Sequence, residues 1–150
     1  VSLALNLRSA ASEDARACAR ILQDWLDATP WMPDLHSLAE TERFAARELL
    51  VRTTPVAEAG DGVAGFLTLR EDRGEVSALH VRSEARGRGV GSALIEAAEA
   101  RSDRLTLWTF LANEDARRFY RRHGLVEGRR TEGDNEEGLP DVKMIWERGA

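Results

Sequence analysis

The stretch VRSEARGRGVGSALIEAAEA, Val81 to Ala100, sets three alternating glycines, Gly87, Gly89 and Gly91, between a run that reads as a strand and an alanine-rich run that reads as a helix. A glycine-rich turn that opens a helix presents backbone N–H groups at the positive end of the helix dipole, which favours an anion there. The donors would come from Gly87, Arg88, Gly89, Val90, Gly91 and Ser92, with charge added by the side chains of Arg86 and Arg88. Two familiar nucleotide loops do not fit. The dinucleotide spacing G-x-G-x-x-G needs a third glycine at Ser92 counted from Gly87, or at Leu94 counted from Gly89, so both registers fail. A Gly-Lys-Ser/Thr phosphate loop needs a lysine here, and the only lysine in the chain is Lys143. The loop suits a pyrophosphate; the competing reading is a turn whose glycines serve packing.

Outward from the loop, the pattern places the other elements. Leu3 to Arg8 alternates like an opening strand, and Ser12 before Glu13 and Asp14 reads as the cap of a first helix that ends near Thr29. Cys18, Ile21, Leu22, Trp25 and Leu26 fall at helical spacing along it. Two prolines in PWMPDLH break the chain, and Ser37 with Glu40 forms a capping box for a second helix to about Leu50. From Pro55 to Arg82 three short β-type runs are parted by Gly60-Asp61-Gly62 and Asp72-Arg73-Gly74, which reads as an antiparallel meander ending in a strand Glu75 to Arg82. After the glycine loop come a helix to about Ser102, a strand Arg104 to Leu111, a helix capped by Asn113 and ended by Gly124, and two last strands around EGDNEEGLP. The order β-α-α-β-β-β-α-β-α-β-β predicts an α/β fold: a mixed, mostly antiparallel twisted sheet with helices on both faces.

The chain of 150 residues is expected to form one domain, 1–150, with the 43% apolar and 31% charged residues of a soluble globular protein. No apolar run is long enough to span a bilayer, and Leu3 to Leu7 is too short for a signal peptide, so no membrane partner is expected and a cytoplasmic address is the default. The net charge of −5 argues against nucleic-acid binding. One cysteine, Cys18, reads as a buried thiol in the first helix, and no Cys/His cluster has metal-ligand spacing, so no metal is expected.

Arg86-x-x-Gly89-x-Gly91, after a strand holding Leu79 and Val81, resembles the acetyl-coenzyme A signature of the GCN5-related N-acetyltransferases. NEDARRFYRRHGLVE downstream, with Asn113, Ala116, Phe119, Tyr120 and Gly124, resembles that family's N-x-x-A-x-x-F-Y-x-x-x-G-F pattern, with Leu125 in place of the usual Phe. The element order agrees, so the resemblance spans nearly the whole chain and implies the acyl-CoA N-acyltransferase fold. It implies acetyl-CoA as co-substrate, lying where the strands Glu75 to Arg82 and Arg104 to Leu111 splay apart. It further implies that Leu79 and Val81 pair with the pantetheine arm, that loop amides hold the pyrophosphate, and that Asn113 touches the pantetheine. The Leu79 N–H becomes the expected oxyanion donor, and Tyr120 holds the motif position of the general acid near the sulfur. Frequent pairing among relatives leaves a homodimer open.

Transfer to an amine also requires a proton acceptor. Glu75 is the first candidate, because two-residue alternation puts it on the face of Leu79 and Val81 and it matches a base glutamate in one branch of the family; an exposed strand-end carboxylate reads equally well. His80 is expected on the opposite face as a structural residue. Among Arg117, Arg118, Arg121 and Arg122, some could approach the adenosine 3′-phosphate and at least two are expected to be solvated. The acceptor, an amine-bearing small molecule or peptide, would meet Trp31 and Met32 as apolar walls. Asp34, Glu132, Asp134, Glu136, Glu137 and Asp141 supply negative charge suited to a cation. The other reading from a different class is a non-catalytic acyl-CoA-binding or sensor module.

Overall fold

In the computed structural model, which describes residues 3–149, the chain runs β1 (Asn6–Ser9), α1 (Ala15–Asp27), α2 (Leu38–Val51), β2 (Pro55–Ala59), β3 (Gly62–Arg70), β4 (Glu75–Val81), α3 (Val90–Glu99), β5 (Arg104–Phe110), α4 (Glu114–Arg122), β6 (Val126–Thr131) and β7 (Asp141–Glu147). Residues 1, 2 and 150 of the domain expected over 1–150 lie outside the described residues. The strands form one seven-stranded sheet in the order β1-β2-β3-β4-β5-β7-β6. Every neighbouring pair is antiparallel except β4 with β5. This is the mixed, mostly antiparallel sheet that the sequence predicts. No helix among the described residues is long and apolar enough to cross a membrane.

Each face of the sheet buries its own apolar layer. Leu67, Leu69, Leu105 and Leu107 pack with Leu94 and Ile95 of α3 and with Tyr120 of α4, whereas Val56 and Phe66 on the other face pack with Cys18 and Ile21 of α1. Cys18 is fully buried and its thiol is pushed up to about 12 by that burial, so it is a packing residue, as expected. The capping box of α2 forms as predicted: the Glu40 N–H donates to Ser37 Oγ at 3.1 Å and the Ser37 N–H to Glu40 Oε1 at 3.1 Å.

Two helix ends depart from expectation. Ser12 does not cap α1; it opens a single 3-10 turn, Ser12–Asp14, and Asp14, at the N-cap position of α1, makes no side-chain cap and instead accepts from the Ala11 N–H at 2.7 Å. The guanidinium of Arg8, at 2.8 and 3.0 Å, fixes that carboxylate and holds it below the usual carboxylate range. At its far end α3 stops at Glu99 instead of near Ser102, because the Ser102 carbonyl accepts from Arg148 Nη2 at 3.0 Å and the Asp103 carbonyl from the Arg148 N–H at 2.8 Å.

The centre of the sheet positions everything that follows. Strand β5 pairs with β7 along its whole length, Arg104 to Phe110, yet meets β4 at one pair, Glu75 with Thr106. The Thr106 N–H donates to the Gly74 carbonyl at 2.8 Å, and beyond that point the strands part. Gly74 has φ +61°, and a Cβ there would lie 2.3 Å from the Arg104 carbonyl oxygen, so both conformation and space restrict the position to glycine.

A β-bulge shifts the pleat in β4. Leu79 pairs with Leu67 and Ala78 with Thr68, but Val76 pairs with Leu69, which leaves Ser77 as an extra residue whose hydroxyl meets Thr68 Oγ1 at 2.6 Å. The expectation that Glu75 shares a face with Leu79 and Val81 is therefore corrected. Glu75 faces the same side as Thr68, Ala78 and His80, and its carboxylate lies 3.6 Å from Arg70 Nε.

On the other half, Glu127 of β6 anchors α4. Arg117 meets both of its oxygens, at 2.9 and 3.1 Å, and Arg121 adds a contact of 2.7 Å, which pushes the Glu127 carboxyl down to about 2.

Two stability predictions follow from these contacts. Gly74→Ala should lower stability by about 2–4 kcal/mol, a Tm drop on the order of 10 °C by calorimetry, because strain and a backbone clash add at the strand junction. Glu127→Gln should cost about 1–2 kcal/mol at pH 7. The carboxyl's lowered pKa means this contribution is present above about 4.5 and is lost as pH falls through about 2, so denaturation curves of the two proteins should converge toward that acid limit.

Candidate active site

Where β4 and β5 diverge, a cleft of about 1370 Å³ opens between the glycine loop, α1, α2 and α4. Leu79, Val81, Arg86, Asn113 and Tyr120 line it together with Gly87, Gly89, Val90, Gly91 and Ser92, so the structure brings together ten of the twelve residues that the sequence singles out. The remaining two do not join them. Arg88 is exposed outside the cleft wall, with its carbonyl accepting from the Leu3 N–H at 3.1 Å, and Glu75 lies past the closed end, since the wall begins at Val76.

The loop leaves the first N–H groups of α3 uncapped. Gly89 precedes α3 in the left-handed conformation, φ +88°, and the first bond of the helix runs from the Ala93 N–H to its carbonyl. The N–H groups of Val90, Gly91 and Ser92 therefore have no helical acceptor, and no side chain caps them. Gly91 lies against α4: a Cβ there would fall 3.0 Å from the Phe119 ring. His123 of the same helical end stacks on Phe119 at 4.3 Å, meets Ser92 Oγ through Nε2 at 2.8 Å and the Phe119 carbonyl through Nδ1 at 2.9 Å. These contacts close α3 onto α4 beside the gap. Asn113 caps α4, with Oδ1 accepting from the Ala116 N–H at 3.2 Å.

Tyr120 is buried at 8% exposure against the inner end of the cleft, its ring edge-on to Phe119 at 5.3 Å. Burial raises its phenol above the ordinary value, so it keeps its proton at neutral pH. Of the four arginines on this helix, Arg117 and Arg121 are engaged by Glu127 and Arg118 by Asp115; Arg122 lines the cleft.

The opposite side of the opening carries aromatic rings of which the sequence reading assigns only Trp31 to the acceptor site and treats the others as structural or leaves them unassigned. His80 stands between Trp25 at 5.3 Å and Phe66 at 5.8 Å; Trp25 meets Trp31 at 6.0 Å, and Trp31 meets Phe110 at 5.8 Å. Trp25, whose helical spacing marks it only as part of an apolar stripe, faces the cleft because α1 crosses β4 at this level. Of the expected acceptor residues, Met32, Asp34, Glu136 and Glu137 line the cleft and Trp31 an adjoining hollow. Glu132 and Asp134 do not line it. Asp141 is buried, and it accepts from Thr131 Oγ1 at 2.5 Å and Asn135 Nδ2 at 3.1 Å, so it closes the β6–β7 loop instead of meeting a ligand. His36 spans the entrance with Nε2 2.7 Å from Glu136, and this pairing raises its pKa.

Comparison with known proteins agrees with this geometry. The family model described as Acetyltransferase (GNAT) family matches residues 14–125. Among solved structures, the apo form of YjaB from Escherichia coli superposes with a TM-score of 0.79 at 25% identity, over 96% of this chain and 98% of that one. A GCN5-related N-acetyltransferase from Rhodopseudomonas palustris superposes at 0.77 with 26% identity over 98% of each chain. An acetyltransferase of the same family from Bacillus cereus shares the fold at a TM-score of 0.77 and 16% identity, over 98% of this chain and 99% of that one. A search of curated protein sequences gave no match. The glycine loop before α3, the parted strands and the Asn113 to Gly124 segment thus occur together in a chain that belongs to the GNAT acetyltransferase family.

Proposed function

We propose that this protein is an acetyl-CoA-dependent N-acetyltransferase that moves the acetyl group directly to a primary amine. The observation that carries the reading is the unpaired gap between β4 and β5, which runs from the free N–H groups at the start of α3 to the buried Tyr120. An extended pantetheine arm can add to the open edge of β4 as an extra strand, with Leu79 and Val81 as its backbone partners and Asn113 alongside. The amides of loop 87–92, with Arg86 at the rim, neutralise the pyrophosphate, and Arg122, which lines the cleft and has no carboxylate partner among the described residues, is the α4 arginine suited to assist. Arg88 adds charge from outside the wall.

For the reaction, the Leu79 N–H donates to the thioester oxygen as negative charge builds on it. Tyr120, held protonated by its burial, donates its phenolic proton to the leaving sulfur. The acceptor's amine reaches the thioester from the side walled by Trp25 and His80, between the α1–α2 connection and the β6–β7 loop. Its charge is less constrained than its apolar contacts, because Arg43 and Arg47 of α2 line the same cleft as Glu136 and Glu137.

Calorimetry with acetyl-CoA and a free-thiol release assay against alkyl amines, polyamines, amino acids and N-terminal peptides test this reading. Binding with turnover on at least one amine is expected. Binding without transfer to any of them would instead make the protein an acyl-CoA-binding module, and absence of binding would overturn the reading altogether. Tyr120→Phe should lower kcat on the order of 10-fold or more while leaving the KM for acetyl-CoA within about 3-fold, since the phenol acts on the departing sulfur and not on donor binding.

A further inference from the structure

Proton transfer from the incoming amine needs an acceptor on the aromatic side of the sheet, and Glu75 is at the wrong end of β4 to supply it. We propose that the imidazole of His80 is the general base, taking the proton of the attacking nitrogen as the N–C bond forms; this rests on the acetyl-transfer reading above.

Three observations support it. The first is position: His80 follows Leu79 directly in β4, and the pleat sends its side chain through the opposite face, into the cleft beside Trp25. The oxyanion donor and the base then flank one reaction centre from adjacent residues. The second is its unused hydrogen-bonding capacity. The chain has three histidines. His123 engages both nitrogens, with Ser92 and Phe119, and His36 meets Glu136 and Glu40. Neither nitrogen of His80 has a hydrogen-bond partner among the described residues; its neighbours, Trp25 and Phe66, offer rings alone. The side chain is half-buried and lines the cleft, so these nitrogens are open to a ligand there. The third is the state of the ring. Enclosure by those rings, together with the positive charge of Arg86, pushes its pKa down to about 4, so a lone pair is available at neutral pH.

Three of the carboxylates on or near the cleft are otherwise occupied, and Asp34 and Glu137 line it from the entrance segments. Glu75 is paired with Arg70, Glu40 caps α2, and Glu136 holds His36. Arg86 is the charged group that bears on the imidazole, from the loop before α3, while α1 and β3 present the uncharged Trp25 and Phe66. Phosphate oxygens placed on Arg86 would cancel its charge and make His80 a stronger base once the donor is bound.

The step balances. The amine lone pair forms the N–C bond, the carbonyl π pair moves to oxygen beside the Leu79 N–H, and a ring nitrogen of His80 takes the N–H proton. Collapse of the oxyanion breaks the C–S bond, and the sulfur receives the Tyr120 proton. His80 then releases its proton to water and Tyr120 regains one, leaving amide and thiol. Bond formation makes the nitrogen far more acidic than a free ammonium, so a weakly basic imidazole is a competent acceptor at that stage.

His80→Phe, which keeps the ring packing, and His80→Ala are compared with wild type by calorimetry with acetyl-CoA and by kinetics on two acceptors. One is an alkyl amine and the other an aromatic amine or hydrazide, which is already neutral at pH 7 and sheds its proton readily after attack. The expected result is a kcat loss on the order of 100-fold with the alkyl amine, a much smaller loss with the weakly basic acceptor, acetyl-CoA affinity within about 3-fold, and partial rescue of His80→Ala by added imidazole. Undiminished kcat in both variants, or equal losses on both acceptors without rescue, overturns the role of His80 and leaves the acetyl-transfer reading standing. Wild-type protein that binds acetyl-CoA but acetylates neither acceptor nor any other amine overturns both.

Discussion

The separation of β4 from β5 is the constraint on which the molecule turns. Unpaired backbone edges in the middle of a sheet are costly unless something else satisfies them. Here the gap is held open by pairing on its outer sides: β3 runs along β4, and β7 runs along the full length of β5, so each strand is fixed by its other neighbour. The contact of Thr106 with Gly74 pins the closed end, and the close approach of Gly91 to Phe119 brings α3 against α4 at the open end. A ligand with its own amides and carbonyls, laid in the gap, completes the ladder that the protein leaves unfinished.

Under the proposed reaction, that arrangement divides the chemistry between two faces. Tyr120 reaches the gap from the face covered by α3 and α4, whereas His80 belongs to the face covered by α1. Because neighbouring residues of a strand point oppositely, one short segment of β4 serves both sides. The proposed proton donor for the leaving sulfur and the proposed acceptor for the arriving nitrogen thereby stand on opposite faces of the sheet. Their environments also push in useful directions: burial keeps the phenol protonated and the imidazole unprotonated at the same pH.

Local signals explain what was legible in the sequence. The glycine loop, the Ser37 and Glu40 box and the Asn113 cap depend on residues a few positions apart, and all three appear as read. The placement of Glu75 fails because the Ser77 bulge is set by the register with β3 across the Thr68 contact, and alternation within β4 alone carries no trace of it. Arg117 and Arg121 look like a free basic flank until β6 brings Glu127 beneath them. Asp141 looks like surface charge, yet its partners Thr131 and Asn135 make it a loop closure. In each case the deciding neighbour comes from another element or from the far side of a loop.

The same reasoning changes what the acceptor end selects. Six carboxylates in the two entrance segments suggest a site for a cation, but the fold removes most of them from that task. Asp141 is buried in its loop, Glu132 and Asp134 lie off the cleft, and Glu136 is engaged by His36. Asp34 and Glu137 remain, facing a cleft that Arg43 and Arg47 also line. Charges of both signs, exposed and screened by solvent, discriminate weakly between amines. The aromatic side of the cleft, His80, Trp25 and Phe110 with Trp31 in the adjoining hollow, is less forgiving, because these rings pack edge to face or tilted on one another and Phe66 backs His80 from the core. Under the proposed reaction, the group carried next to the amine is therefore selected by its fit against these rings, and the same packing holds His80 at the point where the nitrogen must arrive.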